Sequence, residues 1–219
     1  MKPAFLVVNL VATPTRASVS RCSQEPVAAR RTKPTTIFRH SGPPLPTGAQ
    51  THDAYMQEAI DEAHCAYAAL EVPIGAVLVC EHGQIIARGH NQVESQCDVS
   101  AHAELVCLRR APAERARICP ACRENQSGTA RPASWRLTGC TLYCTLEPCS
   151  MCLSAALLAR LSGIVYGAPD VRLGAAGSWI DLLRVKHPFH DSITVQGGVR
   201  RTQCAALMRS FFRMRRTMR

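Results

Sequence analysis

Residues 139–161 read "GCTLYCTLEPCSMCLSAALLARL", and two patterns meet inside them. "GCTLYCTL" (139–146) is a short apolar run with the length and β-branched character of a buried strand. "PCSMCLSAALLARL" (148–161) has the spacing of a helix, with Pro148 in its first turn, where a missing N–H costs nothing. A buried strand running into a helix is the unit of a layered α/β domain. The junction carries Cys149 and Cys152. A Cys-x-x-Cys pair can be a redox switch, half of a zinc site or chance, and 12 cysteines in 219 residues keep chance open.

Working outward, 52–71 places Tyr55, Met56, Ala59, Ile60, Ala63, Tyr67 and Leu70 at helical spacing. "PIGAVLVC" (73–80) and "QIIARGHN" (84–91) are apolar runs joined by the tight turn "EHG", a hairpin pattern. "AHAELVCLRRA" (101–111) reads as a helix, with Asp98 or Ser100 as its cap. Residues 112–135 are rich in Pro, Arg and Ser and read as an exposed loop. "GIVYGA" (163–168) reads as a strand, "LGAAG" as a glycine-rich turn, and "SWIDLLRV" as a helix. "SITVQGG" reads as a last short strand and "RTQCAALMRSFFRMRRTMR" as a C-terminal helix. The alternation implies one α/β layered domain over 51–219.

Charge is distributed unevenly along the chain. The formal net charge is +10, yet 51–198 carry a net −3, while 1–50 carry +6 and 199–219 carry +7 with no acid. Basic ends on a mildly acidic body point to an anionic partner or a targeting signal. Residues 1–50 are Arg-, Ser- and Thr-rich and acid-poor, the composition of an organelle transit leader; the bland alternative is a disordered tail. No apolar run reaches the roughly 18–20 residues that span a bilayer, so no membrane partner is expected. Cys80, Cys107, Cys140 and Cys144 lie in apolar runs, the placement of buried free thiols.

The chemistry lies at two helix starts. Cys149 and Cys152 share one face of a first helical turn, where the dipole favours thiolates. His102 and Glu104 stand at another helix start. One His and two Cys make three zinc ligands with the fourth position left for water, the open, catalytic type of site. Glu104, two residues from a ligand, can reach that water and pass its proton to a substrate nitrogen. A lone Cys-x-x-Cys is usually structural, and a lone His-x-Glu is usually a surface pair. Together, His-x-Glu and Pro-Cys-x-x-Cys form the signature of zinc nucleobase deaminases. Cys119 and Cys122 make a second Cys-x-x-Cys with no His or Glu arranged near it. A second metal would need two further ligands, and spacing does not force Cys97 or Cys107.

"EVPIGAVLV", "GHNQ", "SAHAEL", "TLYCTLEPCSMC", "YGAPDVRLGAAGS" and "QCAALMRSFFRMRR" together resemble the bacterial-type tRNA-specific adenosine deaminases of the cytidine/deoxycytidylate deaminase superfamily. The resemblance runs from about Asp53 to Arg216. It implies a three-layer α/β/α sandwich around a mixed sheet, a homodimer, and one Zn2+ per chain held by His102, Cys149 and Cys152. The implied reaction is hydrolytic conversion of adenosine to inosine at the wobble position of an arginine tRNA anticodon, with Glu104 as proton shuttle to N1 and the departing amine. Asn91 would contact the target nucleoside, Asp170 would approach the ribose, and Phe212, Arg213 and Arg215 would meet flanking nucleotides. Arginine interleaved with aromatic residues suits unstacked bases and phosphates, while Phe211 and Leu207 fit inward packing.

Three departures accompany the resemblance. Residues 112–133 form a surplus between His102 and the cysteine motif, Pro169 stands where the family has arginine, and "KHPFHDS" (186–192) leaves His187 and His190 without a role. The competing readings are a zinc deaminase of a free base or small nucleoside such as cytosine or guanine, and a non-catalytic RNA-binding subunit. Retention of Glu104 argues against the latter. A bacterial-type enzyme behind a transit-like leader points to a plastid, with mitochondrion or bacterial cytoplasm as the alternatives.

Overall fold

A computed structural model describes residues 52–124, 134–185 and 193–218. The leader, residues 125–133 and the two histidines of 186–192 lie outside the described residues. The order is α1 (His52–Ala68), β1 (Gly75–Val79), β2 (Ile85–His90), α2 (Val93–Gln96), α3 (Ala103–Ile118) and α4 (Pro120–Glu124). There follow β3 (Thr141–Leu146), α5 (Ser150–Leu158), β4 (Gly163–Ala168), β5 (Thr194–Gly197) and α6 (Arg201–Thr217).

The five strands form one sheet in the order β2-β1-β3-β4-β5. β1 is antiparallel to both β2 and β3, whereas β3–β4 and β4–β5 are parallel, so the sheet is mixed as expected. Alternation along the strands sorts the core into two layers. Ala76, Leu78, Leu142, Cys144 and Ile164 pack with Ala103, Cys107 and Ala111 of α3 and Leu153 and Ala156 of α5. Val77, Val79, Tyr143 and Val165 pack on the opposite face with Tyr55, Met56, Ala59 and Ile60 of α1 and Cys204 of α6. The result is an α/β/α sandwich. Among the described residues no helix is long and apolar enough to cross a membrane.

Two glycines set how closely helices approach the sheet. A Cβ on Gly75 would lie 2.1 Å from the Ala59 carbonyl oxygen and 2.3 Å from the Ala63 nitrogen. A Cβ on Gly167 would lie 2.4 Å from Cys204 Sγ. α1 and α6 therefore rest on bare backbone at these points.

Four readings change. The first helix ends at Ala68, and Leu70 takes a left-handed φ of 60° and is exposed, so it leaves the core face. The segment read as a loop from 112 is helical through Glu124: α3 continues past Pro112 to Ile118 and α4 follows. Proline removes one backbone bond, and tertiary anchors hold the helix beyond it. Ala111 and Cys119 are buried, and Arg115 grips Glu81 at 2.5 and 2.7 Å. "SWIDLLRV" forms only a 3-10 turn over Leu182–Arg184, because Trp179 and Ile180 stay exposed and give it no face to bury. Neither Asp98 nor Ser100 caps α3. His102 occupies the cap position, and Asp98 instead accepts from the Ser100 amide and hydroxyl.

Gly75→Ala is expected to cost about 3 kcal/mol or more, at the upper end of overpacking, because both clashing atoms are backbone. At a few degrees per kcal/mol this lowers the melting temperature by roughly 6–12 °C, measured by calorimetry. A shift under two degrees would show that α1 can lift off the strand without cost.

Candidate active site

The two site helices begin alike. His102 is the N-cap of α3 and Cys149 the N-cap of α5, both in extended backbone and both without a side-chain capping bond. A usual cap would spend its side chain on the backbone N–H groups of the first turn. Here the imidazole and the thiol are released for each other: His102 Nδ1 lies 3.7 Å from Cys149 Sγ and 3.5 Å from Cys152 Sγ. Pro148 precedes the cap and so sits one residue outside the first turn where the sequence reading placed it.

This geometry fits a zinc ion. Zn–N of about 2.0–2.1 Å and Zn–S of about 2.3 Å at tetrahedral angles separate ligand atoms by roughly 3.6 Å. All three donor atoms lie within 4.8 Å of one another. The hydrogen bond from Cys152, helped by His102 against the effect of burial, pulls the Cys149 thiol down to about 4. Glu104 supports the same fit. It is almost fully buried, and its Oε2 has no hydrogen-bond partner among the protein atoms. Such an orphan is costly unless a ligand or water meets it. Burial raises the Glu104 carboxyl above the ordinary carboxylate range, the direction that lets an acid hold and release a proton near neutral pH.

Two buried carboxylates build the walls, and sequence reasoning missed both. Glu71 accepts from Asn91 Nδ2 at 3.1 Å, the Ser95 amide at 2.7 Å and the Glu94 amide at 3.3 Å. It thereby fixes the Asn91 side chain. Glu147 accepts from the amides of Asp170, Ala176 and Ser178 at 3.1, 2.9 and 3.1 Å, so it gathers the loop after β4. The same loop is stitched to the cysteine motif by Ala175 N donating to Pro148 O at 2.8 Å. Each acid lies one or two residues before a proline near a strand end, in "EVP" and "LEP", and that position is the signal that could have found them.

A pocket of about 670 Å³ opens over this centre. Asn91, His102, Asp170, Phe212 and Arg213 all line it. Arg209 and Arg216 line it as well, completing a stripe of α6 at helical spacing, with Arg172 over the Phe212 ring at 5.8 Å. Arg215 is exposed and is not part of the lining. Phe211 is buried and Leu207 half-buried, in keeping with inward packing.

Residues 49–168 match the cytidine and deoxycytidylate deaminase zinc-binding region. The chain is 40% identical over 161 residues to a tRNA-specific adenosine deaminase of Bacillus subtilis, covering 74% of this chain and 88% of that protein. It is 42% identical over 178 residues to a chloroplastic tRNA(adenine(34)) deaminase of Arabidopsis thaliana, 74% of this chain but only 12% of that much longer protein. A solved structure from a study of A-to-I editing by tRNA:A34 deaminases superposes with a TM-score of 0.56 at 36% identity, over 70% of this chain and 97% of that one. The chain belongs to the cytidine and deoxycytidylate deaminase zinc-binding family, within its tRNA-specific adenosine deaminase branch. Zinc is the cofactor of that region.

Hydrogen bonds to Glu71 from Ser95, Glu94 and Asn91 outweigh the opposing effect of burial and hold its carboxyl below the usual value of 4.5. A lowered folded-state pKa adds stability that is complete above the unfolded value and is lost as pH falls through the folded one. Glu71→Gln is therefore expected to be less stable than the parent above about pH 5, by roughly 1–3 kcal/mol for disrupted buried bonds. The gap should shrink below pH 4.5. Urea unfolding across pH 3–7 checks this, and a gap independent of pH would contradict it.

Proposed function

We propose that this protein deaminates adenosine to inosine at the wobble position of a tRNA, with an arginine tRNA as its substrate. The observation that carries the reading is the junction of the His102–Cys149–Cys152 donor set and an orphaned, buried Glu104 with a pocket that His102 helps to line and that Phe212 and arginines rim. Held by those three donors, zinc would supply an activated water at neutral pH. Glu104 takes the proton from the attacking water, delivers it to N1 of the purine, and carries a second proton to the departing amine. C6 exchanges its amine for oxygen, and ammonia leaves.

The remaining residues select and orient. Asn91, clamped by Glu71, contacts the target nucleoside, and Asp170, clamped through its amide by Glu147, faces the ribose. A base splayed from an anticodon loop costs little to extract. Phe212 offers a stacking face for a neighbouring base, and Arg209, Arg213 and Arg216 meet phosphates. The body is net negative, so α6 supplies the attraction for RNA. The homodimer, the autonomous domain from 51 onward, the transit role of residues 1–50 and a plastid location belong to the same proposal, supported by leader composition and the chloroplastic relative.

The test is incubation of the purified protein with a tRNA carrying adenosine at the wobble position, and separately with free adenine, guanine and cytosine. Inosine and ammonia from the tRNA alone are expected; turnover of a free base alone would move the small-molecule reading ahead. Glu104→Ala should keep the parent's zinc content and lose about 10²–10⁴-fold in rate, and a near-parent rate would remove the proton-shuttle role.

Replacing Arg209, Arg213 and Arg216 together with alanine should weaken tRNA binding. It should also flatten log affinity against log salt by up to about 2 units, near 0.7 per phosphate contact. Arg215→Ala should change the slope little. Equal effects from both variants would show that the pocket-facing stripe is not what meets the RNA.

A further inference from the structure

The second Cys-x-x-Cys does not lie in a loop remote from other ligands. Cys119, at the junction of α3 and α4, and Cys122, in α4, lie against the turn that joins β1 to β2, and Cys80 begins that turn. The Sγ atoms of Cys80, Cys119 and Cys122 all lie within 4.8 Å of one another, and all three residues are buried. All three thiols are free, with no disulfide among them. Cys119 is within hydrogen-bonding contact of both other sulfurs. Cys97 and Cys107, the partners considered from spacing, are elsewhere: Cys97 is exposed at the end of α2, and Cys107 Sγ donates to Ala76 O at 3.2 Å.

A fourth donor stands at the open side. His82 is exposed in the same turn, and its ring nitrogen lies within 4.8 Å of Cys122 Sγ and of a Glu81 oxygen. Glu81 is committed to Arg115, which it engages with both oxygens. His82 is therefore the donor left for a metal. We propose that Cys80, His82, Cys119 and Cys122 form a second, structural zinc site.

The donor chemistry and the surroundings agree. Three thiolates and an imidazole are soft and borderline ligands that select zinc over magnesium or calcium. Tetrahedral Zn–S bonds of about 2.3 Å set sulfurs roughly 3.8 Å apart, so the three sulfurs close with about 1 Å of side-chain movement, and His82 turns in from the exposed side beside Cys122. Three thiolates around one dication leave a net charge of −1. Arg115 answers it from outside the ligand set, because its guanidinium reaches Cys122 as well as Glu81. With four protein ligands the site is closed, unlike the three-donor centre in the pocket.

Its role follows from what it joins. A five-residue helix is too short to hold its own shape, and among the described side chains of α4 only Cys122 is buried. The ion ties α4, and with it the far end of α3, to the β1–β2 turn. His102, at the opposite end of α3, belongs to the active centre.

Zinc content of the full chain is the readout, by mass spectrometry of desalted protein, with the parent, Cys119→Ser/Cys122→Ser and Cys149→Ser/Cys152→Ser compared. Two zinc ions in the parent and one in each variant are expected. One zinc in the parent, retained in Cys119→Ser/Cys122→Ser, overturns the second site. One zinc retained in Cys149→Ser/Cys152→Ser but lost from the other variant supports it and instead overturns the zinc assignment in the pocket. Should either variant fail to fold, cobalt loading of the parent decides. Two cobalt ions per chain, one with the charge-transfer absorption of a three-thiolate site, support the proposal, and a single two-thiolate spectrum refutes it. An intact-mass shift showing a Cys119–Cys122 disulfide in the freshly purified parent would also refute it.

Discussion

Everything at the active centre depends on two helix caps that do not cap. His102 and Cys149 each occupy the residue before a helix, in the extended backbone that a Ser or Asp would use to bond the first turn. Their side chains turn to each other instead. The free N–H groups of both first turns then add to a local field that favours thiolate and carboxylate. The sheet places the caps together: β2 and β3 both run antiparallel to β1, and β2 sends the chain through α2 into α3 while β3 sends it into α5.

Around that point the structure uses buried carboxylates as nails. Glu71 and Glu147 each hold three donors, and each fixes a wall that ends in a residue facing the pocket. Glu104 differs from both in having an oxygen with no protein partner. Three acids of similar burial thus divide by satisfaction: Glu71 and Glu147 have their lone pairs used within the protein, and Glu104 has an oxygen free to meet a ligand or water.

The strand–helix junction at 139–161 and the hairpin were legible because local period and turn chemistry decide them. His102, Glu104, Cys149 and Cys152 were legible because each motif is compact. Sequence reasoning failed where a distant partner overrides a local rule. Pro112 reads as a helix end, but Arg115 locked to Glu81 and the buried Cys119 carry the helix on. "SWIDLLRV" has helical spacing, but nothing covers Trp179 and Ile180. Cys80 and the pair at 119 and 122 are some forty residues apart, and only the fold makes them neighbours. On α6 the composition marked a basic helix, while its rotation, which turns Arg209 and Arg216 to the pocket and Arg215 away, is set by Cys204 and Phe211 packing inward.

That rotation and its distance from the sheet trace back to Gly167. With no side chain there, Cys204 settles directly on β4, and the whole of α6 is carried at that height. The pocket mouth lies between α6 and the loop after β4, so its aperture is gauged by a glycine that is not part of the lining. A methyl group at that position would act as a shim, lifting Phe212 and the arginines away from the floor as one rigid unit. The height of α6 over β4 and the width of the pocket are thus a single mechanical variable in this fold, set by the thickness of one residue beneath the helix.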